Sequence, residues 1–240
     1  MTLLKVNELT KKFVGLIAND NISMNLEKGI VLGLIGPNGA GKTTFFNCIS
    51  GFYKIDEGKI FLEDRDITGF SPDRICKLGM TRTFQVVKSP ANMSVLDFVM
   101  SGAFCRTWNT IKAKQTALDI LSFVEFGLYE HRNHLVKELT LSRRKALQIA
   151  SALATKPKIL LLDEAMSGLT KKEQQNAINL IMKIKDTGIT LIVVEHVMNI
   201  IMSISDRIIV MNSGKKIADD VPKKVANNPE VITAYLGGYK

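Results

Sequence analysis

Three stretches of this chain carry residue types suited to phosphate chemistry. The first, Gly36-Pro37-Asn38-Gly39-Ala40-Gly41-Lys42-Thr43-Thr44, fits the spacing G-x-x-x-x-G-K-[ST] of a phosphate-cradling loop. Its glycines let backbone N–H groups turn inward around an anion, and a following helix N-terminus adds positive potential. Lys42 has the reach for β- and γ-phosphates, and the Thr43 hydroxyl suits Mg²⁺. The second is Ile159-Leu160-Leu161-Leu162-Asp163-Glu164, an apolar run ending in two acids. Asp163 suits Mg²⁺, usually through water, and Glu164 suits a general base that orients and polarises an attacking water. Alone, this stretch also reads as a buried strand capped by solvated acids; the glycine loop favours the catalytic reading. The third is His196, just after the run Leu191 to Glu195. A lone histidine is usually structural, but one at the C-terminal end of a strand beside the acidic strand faces the ligand crevice and can sense a γ-phosphate.

The elements around these residues supply the context they need. An apolar run, Ile30 to Ile35, leads into the glycine loop, and a helix-like segment from Thr43 to Ser50 follows. The acid-ended strand is expected directly beside that first strand. Leu3 to Leu9, Ile22 to Leu26 and Lys59 to Leu62 also read as strands, and Ser71-Pro72 as a helix start with Ser71 as cap. From about Gln85 to Pro157 helical periodicity takes over: a cap at Ser94 to Asp97, a helix over Lys112 to Glu125, another over Arg143 to Thr155. Strands and helices then alternate again. A helix over Lys171 to Lys185 stops at Gly188, Thr190 to Glu195 is a buried strand, Arg207 to Asp219 a hairpin around Ser213-Gly214, and a helix follows Pro229. The expected fold is α/β: a P-loop nucleotide-binding core with a parallel sheet, an N-terminal antiparallel β subdomain and an inserted helical subdomain. The expected division is 1–84 with 157–240 for the nucleotide core and 85–156 for the helical unit.

Composition narrows the setting. The chain of 240 residues can bury a full core, with 46% hydrophobic and 23% charged residues. No apolar run approaches the ~18 residues of a membrane span, and the start lacks a signal peptide's apolar stretch. Cys48, Cys76 and Cys105 are widely spaced, read as reduced thiols, and form no metal-type cluster. A net charge of +9 suits nucleic acid, an anionic surface or nucleotide polyphosphate. The lysines are dispersed, however, and no aromatic-basic interleaving of an RNA-binding kind occurs.

Taken together, these motifs resemble the ATP-binding subunit of ABC transporters over essentially the whole chain. The resemblance implies ATP and Mg²⁺ as ligands, with Phe13 stacking on adenine and Gly36 to Thr44 binding phosphates. It makes Gln85, in Thr83-Phe84-Gln85, a Mg²⁺ and water ligand on a mobile hinge, Asp163 the metal-site acid, Glu164 the general base and His196 the switch histidine. Within the family the sequence is most similar to importers of branched-chain amino acids. Arg82-Thr83-Phe84-Gln85 followed by Asn92-Met93-Ser94-Val95, the run Ile204 to Ile208, and the tail Asn228 to Gly237 carry that similarity. The implied setting is the cytoplasmic face of a membrane, peripheral through permease subunits, with a second ATPase subunit and, for an importer, a substrate-binding protein. No nucleic acid is expected.

The chain departs from the family pattern where subunits act on one another. The signature loop, which reads the partner's ATP, is Leu139-Thr140-Leu141-Ser142-Arg143. Thr140 keeps a hydroxyl, Ser142 stands where the family has its second glycine, and Arg143 where it has glutamine. A Cβ at Ser142 crowds or strains the approach of backbone N–H groups to phosphate. Arg143-Arg144-Lys145 puts cations at a helix start, against the macrodipole; a bound γ-phosphate would offset that. The loop is read either as a weak contributor to its partner's site or as one in which Arg143 supplies a charge-assisted contact instead. Ala165, Thr170 and Val197 replace the family's proline, Asp or Asn, and acid at their positions. Three further readings stay open: an exporter ATPase, a soluble ABC protein acting on nucleic acid or ribosomes, and a non-hydrolysing regulatory binder.

Overall fold

Runs that are apolar at every position become the central strands, because both faces of a parallel sheet are covered. The computed structural model describes residues 1–83 and 90–236. In chain order the elements are β1 (Thr2–Phe13), β2 (Leu16–Glu27), β3 (Val31–Ile35), α1 (Lys42–Ile49), β4 (Glu57–Leu62), β5 (Arg65–Asp66), α2 (Pro72–Leu78), β6 (Met80–Arg82), α3 (Val95–Ala103), α4 (Thr110–Val124), α5 (Leu141–Ala154), β7 (Ile159–Asp163), α6 (Lys171–Asp186), β8 (Thr190–Val194), α7 (Met198–Ile204), β9 (Arg207–Asn212), β10 (Lys215–Asp220), α8 (Pro222–Ala226) and α9 (Pro229–Leu236).

The strands form two sheets. An antiparallel four-stranded sheet runs β2-β1-β4-β5, and a six-stranded one runs β10-β9-β3-β8-β7-β6, parallel apart from the β9–β10 hairpin. This is the α/β architecture expected, with an antiparallel N-terminal sheet and helices α3 to α5 between β6 and β7. One expectation is corrected. The acid-ended β7 does not lie beside β3; β8 is interposed, pairing Val31 to Leu34 on one side and Ile159 to Asp163 on the other. The three strand ends still point the same way, so the glycine loop, Asp163 and His196 converge at one edge.

Alternation along the central strands splits the core in two. Val31, Ile35, Leu160, Leu162, Leu191 and Val193 pack against buried residues of α3 to α7. Leu32, Leu34, Leu161 and Ile192 pack against α1 and the antiparallel sheet. Strands β1 and β2 run further than their apolar stretches suggest, through Thr10-Lys11-Lys12 and Leu16 to Asn21, because ladder pairing and several bulges carry polar residues, among them the buried Thr10 and Asn19. Helix α5 starts at Leu141, two residues ahead of the expected start, since Thr140 caps it. Among the described residues no helix is long and apolar enough to cross a membrane.

Candidate functional site

The glycine loop joins β3 to α1, and glycine is required at its two ends. Gly36 has φ 151°, and a Cβ there would lie 2.1 Å from the Met211 carbonyl oxygen. Gly41 has φ 95°, and its Cβ would lie 2.2 Å from the Ala18 carbonyl oxygen. Any side chain would push the loop out of its cradle. Gly41 is the N-cap of α1, so the first N–H groups of that helix face the loop. Lys42 opens the helix, is only 6% exposed, and donates from Nζ to the carbonyls of Gly36 (2.6 Å) and Pro37 (3.0 Å). Burial pulls its pKa below the usual lysine value, while the charges of Glu164 and Asp163 work in the opposite direction. Thr43 is exposed and Thr44 half-buried. Cys48, further along, is a packing residue; burial pushes its thiol up to about 12.

A cavity of about 590 Å³ opens over the loop. Asn38, Gly39, Ala40, Gly41, Lys42, Thr43 and Thr44 form its floor. Glu164 and His196 form one wall; Leu16, Ile17, Ala18, Ser213 and Gly214 form the other. That second wall was not legible as a site. The β9–β10 turn reaches it because the Gly214 N–H donates to the Ala40 carbonyl (3.1 Å) and the Asp20 N–H to Gly214 (2.9 Å).

Glu164 follows β7 in the left-handed region, φ 49°. Its N–H donates to the Val194 carbonyl at 2.9 Å, and its Oε1 lies 2.6 Å from His196 Nε2. Adjacent strand ends therefore bring the two predicted residues into contact. Asp163 is turned inward. Its carboxylate is 3% exposed and accepts from Arg82 Nη2 at 2.6 Å, while Arg82 Nη1 donates to the Asn47 side chain on α1.

Behind Glu164 the signature helix closes a seam too narrow for water, where Lys145 Nζ donates to the Glu164 carbonyl at 2.7 Å. Glu195, 3% exposed, accepts from the Met166 N–H at 2.7 Å. Burial raises the Glu195 pKa, opposed by that N–H bond and by the Lys145 charge.

Other predicted residues stand apart, among the described residues, from the cavity lining. Phe13 is 43% exposed at the end of β1, packed edge-on against Tyr53 (5.6 Å between ring centres). Gly36 and Pro37 shape the loop from behind. Thr140 Oγ1 lies 3.2 Å from Ser142 Oγ, and Ser142, 8% exposed, faces the Glu173 side chain of α6 and helps to lower its pKa. Gln85 lies outside the described residues.

Arg143 does not face outward from the helix start. Its Nε donates to the Phe126 carbonyl (3.1 Å), and its Nη1 meets His131 Nε2 (3.0 Å). With Lys145 on the Glu164 carbonyl, two of the three cations that open α5 are thus offset by carbonyl groups of the same chain rather than by a phosphate. Thr170 caps α6 in a reciprocal box with Glu173, doing the work of an Asp or Asn there. Val197 leaves α7 without a side-chain cap.

The donors fit a nucleotide and a hard cation. The cradle tolerates no Cβ at Gly36 or Gly41, and the Thr43 hydroxyl and Asp163 carboxylate are the oxygen ligands Mg²⁺ takes. Among the described residues no group of three or more His, Cys, Asp or Glu could hold a metal. Phosphate oxygens would complete such a shell.

Comparison with known proteins agrees with this geometry. Residues 19–167 match the ABC transporter family, and residues 215–240 match the branched-chain amino acid ATP-binding cassette transporter family. The chain is 39% identical to the Escherichia coli K12 high-affinity branched-chain amino acid transport ATP-binding protein LivG, covering 98% of both chains. It is 36% identical to BraF, the corresponding protein of Pseudomonas aeruginosa, with the same coverage. A nucleotide-free ATP-binding cassette from an ABC transporter superposes with TM-score 0.90 at 30% identity, over 99% of this chain and all of that one. The ADP conformation of such a cassette gives 0.89 at 31%, over 99% of both. The chain belongs to the ABC transporter family, as one of its ATP-binding cassettes.

Proposed function

We propose that this chain hydrolyses ATP to ADP and phosphate and so drives import of branched-chain amino acids. It works at the cytoplasmic face of a membrane, bound to permease subunits, paired with a second ATPase subunit and fed by a substrate-binding protein. The observation that carries the reading is Glu164 held against His196 in the wall of the cavity whose floor is the glycine loop. The names of the similar proteins and the match at 215–240 support import of that substrate class.

In this reading the N–H groups of Gly36 to Thr44 and the Lys42 ammonium hold the phosphates. Thr43 and Asp163 would hold Mg²⁺, with Gln85, and the ion's charge would offset that of the phosphates. A water oxygen bonds the γ-phosphorus as the bond to the ADP oxygen breaks, and Glu164 accepts the water's proton. His196 orients that carboxylate and contacts the γ-phosphate. Adenine lies against Leu16, Ile17 and the nearby Phe13 ring. Residues 1–84 with 157–240 form the nucleotide unit, and 85–156 the helical unit that docks on the permease. Thr140 and Ser142 face the partner subunit's nucleotide.

The test is Glu164→Gln. ATP binding, read with a fluorescent analogue, should stay within about twofold of wild type. Turnover should fall by about a hundredfold or more, the usual worth of a general base. Hydrolysis near the wild-type rate would remove Glu164 from that role.

A further inference from the structure

Lys145 lies in the second turn of α5 and is 8% exposed. A buried cation persists only where it is paired and hydrogen-bonded. It donates to a main-chain oxygen, the carbonyl of Glu164, at 2.7 Å. That oxygen also accepts from the Ser167 N–H at 3.3 Å. One peptide further on, the buried Glu195 carboxylate takes the Met166 N–H. A cation and an anion therefore grip the turn 164–166 from its two kinds of backbone group. The turn needs such a grip, because Glu164 sits at φ 49°, a conformation that glutamate rarely adopts unaided. The rotation of that backbone sets where the Glu164 carboxylate points.

We propose that Lys145 is a positioning residue for hydrolysis, holding the Glu164 main chain so that its carboxylate meets His196 and the cavity. This rests on Glu164 being the base. It assigns to the helix that follows the signature loop a role in the site of its own chain. Burial lowers the Lys145 pKa while the Glu195 and Glu164 charges oppose the shift. A purely structural role, balancing Glu195 inside the fold, is the competing account.

The experiment compares Lys145→Met, Lys145→Arg and the charge-balanced Lys145→Met/Glu195→Gln, with Glu164→Gln as reference. ATPase kcat and KM, ATP affinity and Tm are measured for each. Lys145→Met should lower kcat roughly tenfold to a hundredfold, the scale of a misplaced catalytic group, with KM and ATP affinity within about twofold. Lys145→Arg should recover part of kcat. The double variant should regain any lost Tm but keep the low kcat. If Lys145→Met turns over like wild type, or if kcat returns with Tm in the double variant, the positioning role is overturned. Where Lys145→Met alone does not fold, the double variant decides between the same two results. Should Glu164→Gln itself hydrolyse normally, the base assignment falls and this role with it; a dead Glu164→Gln beside an active Lys145→Met removes the positioning role alone.

Discussion

At the scale of single residues, the Arg82–Asp163 pair defines the inner end of the site. Both side chains are nearly excluded from water, and the guanidinium also ties β6 to α1 through Asn47. Removing one partner of a buried pair leaves a charge without compensation. Arg82→Met should therefore cost about 3 to 5 kcal/mol in urea unfolding at pH 7. Saturating Mg²⁺ with a non-hydrolysable ATP analogue should return more stability to the variant than to wild type, since a divalent charge then faces the same carboxylate. A loss below about 1 kcal/mol, the value of an exposed pair, would show that Asp163 is compensated elsewhere. The loop 36–44, Asp163 and Glu164 stand out in the sequence because each sits in a local pattern whose spacing carries the chemistry, and His196 only through its place at the end of a strand once those motifs are seen. Arg82, Lys145 and Glu195 do not stand out. Each acquires its partner, 19 to 81 positions away, only through strand order and the packing of α5 against β7.

At the scale of elements, the β9–β10 hairpin is fixed by Arg207. Its guanidinium bonds both Asp219 oxygens (2.6 and 2.9 Å) and reaches across to the Asn25 carbonyl on β2 (2.8 Å), joining the two sheets. Burial pushes the Asp219 pKa up, but bonds from Arg207 and Lys216 outweigh it and hold the carboxyl below the ordinary aspartate value. A carboxylate with a depressed folded-state pKa stabilises above its unfolded value, and that stability is lost as pH falls through the folded value. Asp219→Asn should cost about 1 kcal/mol at neutral pH, and the urea midpoints of variant and wild type should converge as pH drops below about 4. Parallel midpoints down to pH 2 would disconnect Asp219 from the acid limb. The same hairpin marks the limit of element-level reading. Ser213-Gly214 announces a turn by residue type, yet nothing local says that the turn closes the cavity wall or that β8 separates β3 from β7. Those facts come from which strand pairs with which, set by burial of both faces over long sequence distances. The strand ends follow a related rule: β1 and β2 extend through polar residues because pairing, not side-chain hydrophobicity, carries them.

At the scale of the whole molecule, we propose that the site read from one chain is half of a composite one completed by a partner subunit. The cavity gathers Asn38 to Thr44, Glu164 and His196, while Thr140 and Ser142 stand apart from it and are proposed to serve a partner's nucleotide. Within one chain those two residues are already engaged. Ser142 faces Glu173 and lies close to Thr140, and Arg143 is folded back onto Phe126 and His131. Serine adds a Cβ where close backbone approach to phosphate is needed, and the Arg143 charge is directed away from the helix start. Ser142→Gly with Arg143→Gln should therefore raise ATP turnover by about tenfold in an assembled dimer, the worth of one regained contact near 1.4 kcal/mol. In a homodimer both sites carry the altered loop, so the gain should appear in the purified chain alone. In a heterodimer only the site formed with this chain's signature should speed up. It can be isolated there by placing Glu164→Gln in this chain, which silences the site built on its own glycine loop. A gain confined to the mixed dimer would show that this chain is built to pair with a different ATPase, its own loop serving the slower of two sites. No gain in either assembly would mean that Ser142 and Arg143 do not limit turnover, and the defect attributed to this signature would have to be abandoned.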